Sequence, residues 1–186
     1  LPKDAKLGTG SVRRAAQILQ PRPDLKLQDI RGNVDSRLKK LDEGQFDALI
    51  LAEAGLNRLG LKERIKQSLS PEICLPSVGQ GALALEVLSE NKELIKILQS
   101  FNHQPTRFCI EAERSMNRSL GASCYSPVGS FAEINADELV LRGLVASKDG
   151  AMVFKTLQTG RPEQAENIGK LAAEDLLVQG AKKYLS

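Results

Sequence analysis

Strand-like and helix-like segments alternate along the first third of the chain, and three strand-like runs lie between two helix-like ones along its last part. Together these patterns predict an α/β unit followed by an α+β unit with a three-stranded antiparallel sheet and helices. A third observation, a stretch punctuated by Pro71, Pro76, Gly79 and Gly81, predicts a junction between the two.

Each element has a local reason. Ser11 is a candidate N-cap, and Val12 to Gln20 reads as a short helix that Pro21 and Pro23 end. The alternation Leu25-Lys26-Leu27-Gln28-Asp29-Ile30 reads as a strand, and Asn33 can cap a helix whose Val34, Leu38 and Leu41 share a face. The apolar run Ala48–Ala52 reads as a buried parallel strand, followed by Gly55 and a short helix carrying Arg58. Beyond the junction, Ala82–Val87 is strand-like and Asn91–Leu98 helix-like. Thr106 is a candidate cap for a helix to about Ser119 that turns Phe108, Cys109, Ala112 and Met116 inward. Val128–Ile134, Glu138–Ser147 and Met152–Thr159 read as strands separated by Asn135-Ala136-Asp137 and by the hairpin signal Asp149-Gly150. A closing helix starts near Pro162 and buries Ile168, Leu171, Leu176 and Leu177 as far as about Gln179.

The composition, 41% apolar and 26% charged over 186 residues, is that of a soluble globular chain, and no window is apolar long enough to span a bilayer. Three cysteines without a C-x-x-C pair argue against a disulfide framework and a structural zinc site, and point to a reducing cytoplasm. The single histidine, His103, reads as a surface residue and leaves no second imidazole for triad or multi-histidine metal chemistry. The start at Leu1-Pro2, without methionine or leader, reads as a cut piece of a longer protein.

The net charge of +3 conceals an asymmetry. Residues 1–66 hold 14 Lys+Arg against 9 Asp+Glu, and the remainder 12 against 14, so the first part attracts anions. With 4% aromatics and no tryptophan there is little on which to stack bases, so a small carboxylate or phosphate ligand fits better than nucleic acid. A guanidinium is a planar fork that matches a carboxylate. Arg13 and Arg14, in the first turn of their helix, gain further from its free N–H groups. Cys124, in Gly121-Ala122-Ser123-Cys124-Tyr125-Ser126-Pro127-Val128-Gly129, offers a thiol on a small-residue loop, able to form a lasting thioether. Alone, each feature has a plainer reading: exposed arginines are mostly solvated, an isolated cysteine is a small hydrophobe, and Gln80 in Gly79-Gln80-Gly81 is a turn residue.

Taken together, five motifs closely resemble the porphobilinogen deaminase (hydroxymethylbilane synthase) family. They are Gly8-Thr9-x-Ser11-x-Arg13-Arg14, Arg31-Gly32-Asn33-x-x-x-Arg37, Ala54-Gly55-Leu56-x-Arg58-Leu59-Gly60 and Pro76-x-Val78-Gly79-Gln80-Gly81-Ala82. The fifth runs Glu113-Arg114-x-Met116-x-x-x-Leu120-x-x-x-Cys124-x-x-Pro127-Val128-Gly129, so the match extends essentially end to end.

The resemblance implies a transferase of haem biosynthesis that joins four porphobilinogens head to tail into hydroxymethylbilane, releasing ammonia at each addition. It also implies a dipyrromethane cofactor in thioether linkage to Cys124, contacted by Thr9, Ser11, Arg13, Arg14, Arg31, Asn33 and Gln80, with Arg13, Arg37 and Arg58 on the substrate. Partners would be porphobilinogen and the growing oligopyrrole, with no nucleic acid, membrane or metal, in a monomeric full-length protein.

On the same resemblance, residues 1–75 form a binding-protein-like α/β domain 2. Residues 76–103 are the hinge and returning strand and helix of a domain 1 whose main portion this chain lacks, and 104–186 are the α+β cofactor-attachment domain 3. The family's catalytic aspartate falls in the lacking portion, so no catalytic residue is expected here and the chain alone is expected to be inactive. The alternative is a non-enzymatic α/β anion-binding module. The segment from Ala82 to Leu98 is expected to be mobile or to pack on a neighbouring chain. Two departures are Gly10 for the family's more usual Ser, and Ala122-Ser123 for Gly-Gly before the cysteine.

Overall fold

The computed structural model describes residues 1–123 and 125–185. Its first sheet is parallel, in the order β2-β1-β3, with β1 at Lys6–Gly8, β2 at Lys26–Gln28 and β3 at Ala48–Leu49. Helix α1 (Val12–Leu19) connects β1 to β2, α2 (Val34–Asp42) connects β2 to β3, and α3 (Glu53–Arg58) follows. Both expected caps are present: Ser11 Oγ accepts from Arg14 N at 3.4 Å and Asn33 Oδ1 from Ser36 N at 2.9 Å. The central strand β1 has no counterpart in the sequence reading, because three residues are too few to display an alternation. The run Ala48–Ala52 yields only a two-residue edge strand, half-buried where full burial was expected.

The second sheet is antiparallel, β4-β5-β6, formed by Val128–Asn135, Glu138–Ala146 and Val153–Gly160. Two helices pack on it, α5 (Gln104–Leu120) and α6 (Ala165–Val178), giving the α-β-β-β-α order expected. The hairpin at Asp149-Gly150 turns through Gly150 at φ +72°. Met116, Leu139, Leu141, Val145 and Leu176 sit at the centre of the largest apolar core. Helices α5 and α6 approach closely because Gly169 has no side chain: a Cβ there would collide with the Ala112 carbonyl oxygen. Ser115 Oγ donates to the Glu166 carbonyl at 2.7 Å across the same contact.

Three local expectations are corrected. Ala82–Val87 is not a strand but irregular backbone with Leu83 and Leu85 exposed, since among the described residues no strand lies beside it to pair with. Helix α5 starts at Gln104 after the N-cap His103, with Pro105 in its first turn; Thr106 lies inside and its Oγ1 meets His103 Nδ1 at 2.8 Å. Leu171 faces solvent, because Ala172 and Ala173 occupy the inward side of α6. The expected helix near Asn91 is present as α4 (Lys92–Leu98), with Asn91 as its cap. Among the described residues no helix is long and apolar enough to cross a membrane.

The stretch after α3 joins the two sheets. Leu75 packs with Ala16 of α1 and with Leu144 and Ala146 of β5, its N–H donates to Gln17 Oε1 at 2.7 Å, and its carbonyl accepts from Gln17 Nε2 at 3.1 Å. Ser130 N of β4 donates to the Pro76 carbonyl at 3.0 Å.

Candidate functional site

A cleft of about 2550 Å³ opens between α1 and α2 on one side and α5 on the other, with Ser77–Leu85 along its floor. Its cations are Arg13, Arg14, Arg37, Arg107, Arg114 and Arg118, against the carboxylates of Glu111 and Glu166. Low-dielectric walls lined by one sign of charge concentrate anions.

Arg13 is the most enclosed of these at 6% exposed. Its Nη1 donates to the Leu75 carbonyl and approaches Cys74 Sγ at 4.0 Å, and its Nη2 donates to Gln80 Oε1 at 3.4 Å. Burial pulls the Arg13 pKa below its usual value, the nearby Cys74 opposes this, and Arg14 adds to it. A guanidinium starts so high that it stays charged. The same burial raises the Cys74 thiol pKa, against the pull of the two arginines. Gln80 is held in turn by Ser77, whose N–H and Oγ donate to its Oε1 at 3.2 and 3.3 Å.

Arg14 is half-buried and donates to the Ile50 carbonyl at 3.2 Å, which aims it across the sheet's end. Arg37 donates to the Gly32 carbonyl at 2.7 Å. Ser11 lines the cleft, and Thr9, buried behind it, accepts from Ser11 N at 3.3 Å. Arg31, Asn33 and Arg58 lie outside the cleft lining: Arg31 is exposed and paired with Asp29 at 2.9 Å, Asn33 caps α2, and Arg58 is exposed at the end of α3. The structure thus gathers Ser11, Arg13, Arg14, Arg37 and Gln80 and leaves Arg31 and Arg58 exposed outside the lining.

Cys124 itself lies outside the described residues. Its neighbours Ser123 and Tyr125 line the cleft, and Tyr125 is 80% exposed. Ser123 N donates to Ser126 Oγ at 3.0 Å, Tyr125 N to Ser123 Oγ at 3.2 Å, and Ser126 Oγ to the Leu185 carbonyl. These bonds fix both flanks of position 124 to the floor of the second unit.

Two features were not drawn from the sequence. Glu113 is 4% exposed and accepts from Gly79 N at 2.7 Å and Ala132 N at 2.9 Å, tying the loop that carries Gln80 to β4. Burial raises its pKa above the usual glutamate value, and the two backbone donors oppose that rise. A carboxylate between Ala112 and Met116, on the inward face of an amphipathic helix, was the available signal. The arginines of α5 are the second feature, legible as spacings of seven and four.

Fold and cleft together define a class: a two-sheet protein with an arginine-lined cleft between its units, lined also by the two residues that flank Cys124 in sequence. Comparison with known proteins narrows this. Residues 1–96 match the family model "Porphobilinogen deaminase, dipyromethane cofactor binding domain", and residues 107–178 match "Porphobilinogen deaminase, C-terminal domain". The chain belongs to the porphobilinogen deaminase family.

It is 45% identical over all 186 residues to the porphobilinogen deaminase of Methylobacillus flagellatus, and 45% identical over the same length to that of Nitrosomonas europaea. It is 48% identical over 181 residues, 97% of the chain, to that of Laribacter hongkongensis. It spans about 60% of the length of these relatives.

Proposed function

We propose that the full-length protein carrying this chain is a transferase that joins four porphobilinogen units into hydroxymethylbilane with release of ammonia. Its dipyrromethane cofactor is bound as a thioether to Cys124 and serves as the covalent start of the growing chain. The observation that supports this best is the shared lining of one cleft by Arg13, Arg14 and Arg37 and by the two residues that flank Cys124.

The residues present fit an acidic oligopyrrole. The guanidinium forks of Arg14 and Arg37 bind carboxylates, and each such charged hydrogen bond contributes about 1.5–3 kcal/mol. Arg13, fixed by Leu75 and Gln80, keeps further N–H donors for an anion at the start of α1. Ser11 adds a hydroxyl, and Thr9 supports it from behind. Arg31, Asn33 and Arg58 on the rim meet carboxylates as the ligand lengthens or the units close. Tyr125 offers a face beside the tether on which a pyrrole can stack. The model named for the cofactor covers residues 1–96 whereas Cys124 falls in the stretch of the C-terminal model, so grip and tether come from different units.

We assign residues 1–75 to a binding-protein-like domain, 76–103 to a hinge with the segment, including helix α4, that returns to a further domain, and 104–186 to the cofactor-attachment domain. No residue of this chain matches the family's catalytic carboxylate, so the chain alone forms no product. Porphobilinogen and its oligomers are the partners, the full-length protein is a monomer, and the compartment is the cytoplasm.

The test is to supply porphobilinogen to the full-length protein and follow ammonia and hydroxymethylbilane. Both should appear, and both should fall at least about tenfold in Arg14→Gln, the loss of roughly one charged hydrogen bond. Absence of both products, with Cys124 unmodified and acidic pyrroles still bound, would instead favour a non-enzymatic anion-binding module in which the thiol has no special role.

A further inference from the structure

Among the described residues Glu113 is the only buried acid, and its hydrogen-bond partners are backbone N–H groups, not a cation. It stands between Ala112 and Met116 on the inward face of α5, where an apolar side chain would avoid the cost of burying a charge. Core stability therefore does not account for it. Its Oε2 accepts from Gly79 N at 2.7 Å and its Oε1 from Ala132 N at 2.9 Å. Ser130 Oγ, buried and without another partner among the described residues, is a further donor that favours the ionised form. Such a set suits a carboxylate, which only accepts, whereas an amide would set its own N–H groups against backbone N–H.

The stretch after α3 is docked on β4 point by point. A Cβ on Gly129 would meet the Leu75 Cβ at 2.9 Å, so the glycine lets Leu75 come close, and Ser130 N donates to the Pro76 carbonyl at 3.0 Å. Further along, packing gives out. Gly79 and Gly81 turn at φ +71° and +96°, and around both the space that a Cβ would face is open. The bond from Gly79 N to Glu113 is what fastens this turn to the second unit. Gln80, between the two glycines, accepts from Arg13 Nη2 at 3.4 Å. Contacts thus run without a gap from Ala132 of β4 through Glu113, Gly79 and Gln80 to Arg13 of α1.

We propose that Glu113 is a positioning residue for the transfer reaction: it holds the Gly79-Gln80-Gly81 turn to β4 and, through Gln80, keeps the Arg13 guanidinium in a fixed place relative to the strand that follows Cys124 in sequence. This rests on the oligopyrrole reading above and deepens it. A polymer gripped by one unit and rooted on the other reacts only if grip and root keep their spacing, and a misplacement of about 1 Å can cost roughly a hundredfold in rate. Because the polymer is covalently rooted, a displaced grip slows its turnover without weakening the binding of free porphobilinogen, so the effect falls on kcat and not on KM.

The experiment is a double-mutant cycle in the full-length protein, with wild type, Glu113→Gln, Gln80→Ala and the pair, reading hydroxymethylbilane formed per molecule that carries the cofactor, as counted by intact mass. Glu113→Gln should lower kcat about tenfold and change KM for porphobilinogen by less than about twofold. In the Gln80→Ala background the same substitution should lower kcat by less than about twofold, because the turn then has no side chain on Arg13 to displace. Losses that multiply independently overturn the proposal, as does a raised KM with kcat unchanged. A lowered thermal midpoint with normal kcat shows a structural role and overturns it as well. In the wild type, hydrogen exchange at the Gly79 amide should be slowed, and exchange as fast as in an open loop overturns the proposal even where a variant fails to fold. Wild-type protein that makes no hydroxymethylbilane overturns the oligopyrrole reading itself, an outcome recognisable before any variant is made.

Discussion

The unit built on β4-β5-β6 and the unit built on β2-β1-β3 differ most in what they bury. Among the described residues, the antiparallel unit encloses a core running from Ala112 to Leu185, in which Met116, Leu139, Leu141, Val145 and Leu176 have almost no exposure. The parallel unit has a small cluster, Ala5, Leu7 and Leu25, with Ile30, Leu38, Phe46 and Leu56 buried apart from it. The antiparallel unit is therefore a firmly packed base for Ser123 and Tyr125, the residues that flank Cys124. The parallel unit places arginines at helix starts and strand ends, where their movement costs little packing.

The sharpest way to break that contrast is to hollow each core. Met116→Ala should cost about 2–5 kcal/mol, read from chemical denaturation, and Leu7→Ala should fall at the low end of the same range because its thin surroundings can collapse. Equal losses would mean the parallel unit is as tightly packed as its neighbour.

A smaller effect separates the two kinds of arginine. Arg13→Ala should cost about 1–2 kcal/mol, since the bonds from Arg13 to the Leu75 carbonyl and to Gln80 Oε1 are lost, while Gln17 still reaches that carbonyl and Ser77 still donates to Gln80. Arg31→Ala, which breaks only an exposed pair with Asp29, should change stability by under about 1 kcal/mol while still impairing chain elongation in the full-length protein. A loss at Arg31 as large as at Arg13 would contradict the division into enclosed and rim arginines.

Smallest is a pH effect at the joint between the units. The folded-state pKa of Glu113 lies above its unfolded value, so the folded protein holds this proton the more tightly. The contribution is fully present below the ordinary value of 4.5 and is lost as pH rises through the raised folded one. Glu113→Gln should flatten that part of the thermal-midpoint profile against pH. A profile unchanged by the substitution would remove Glu113 from the account of the joint.

Much of this was legible in the sequence because its signals are local. Ser11 and Asn33 announce their helices as caps, and Asp149-Gly150 announces its hairpin. What escaped depends on distant partners. β1 is the middle strand of its sheet, yet it is fixed by β2 and β3 rather than by its own three residues. Ala82–Val87 has the apolar alternation of a strand and no partner among the described residues. Within the site, Arg13, Arg14 and Arg37 line one cleft, which only the family resemblance suggested, and no local pattern told that Arg31 and Arg58 would lie outside that lining. Glu113 was visible as a charge on an apolar helix face, but its partners Gly79 and Ala132 were not.

The central claim is that the arginine cleft holds an acidic oligopyrrole rooted on Cys124. Intact mass of the purified full-length protein, beside Cys124→Ser, tests it most directly. The account predicts a two-pyrrole adduct on the wild type that is absent from the variant, with product formation lost alongside it. A wild-type protein that makes hydroxymethylbilane while its mass shows a bare polypeptide would contradict it.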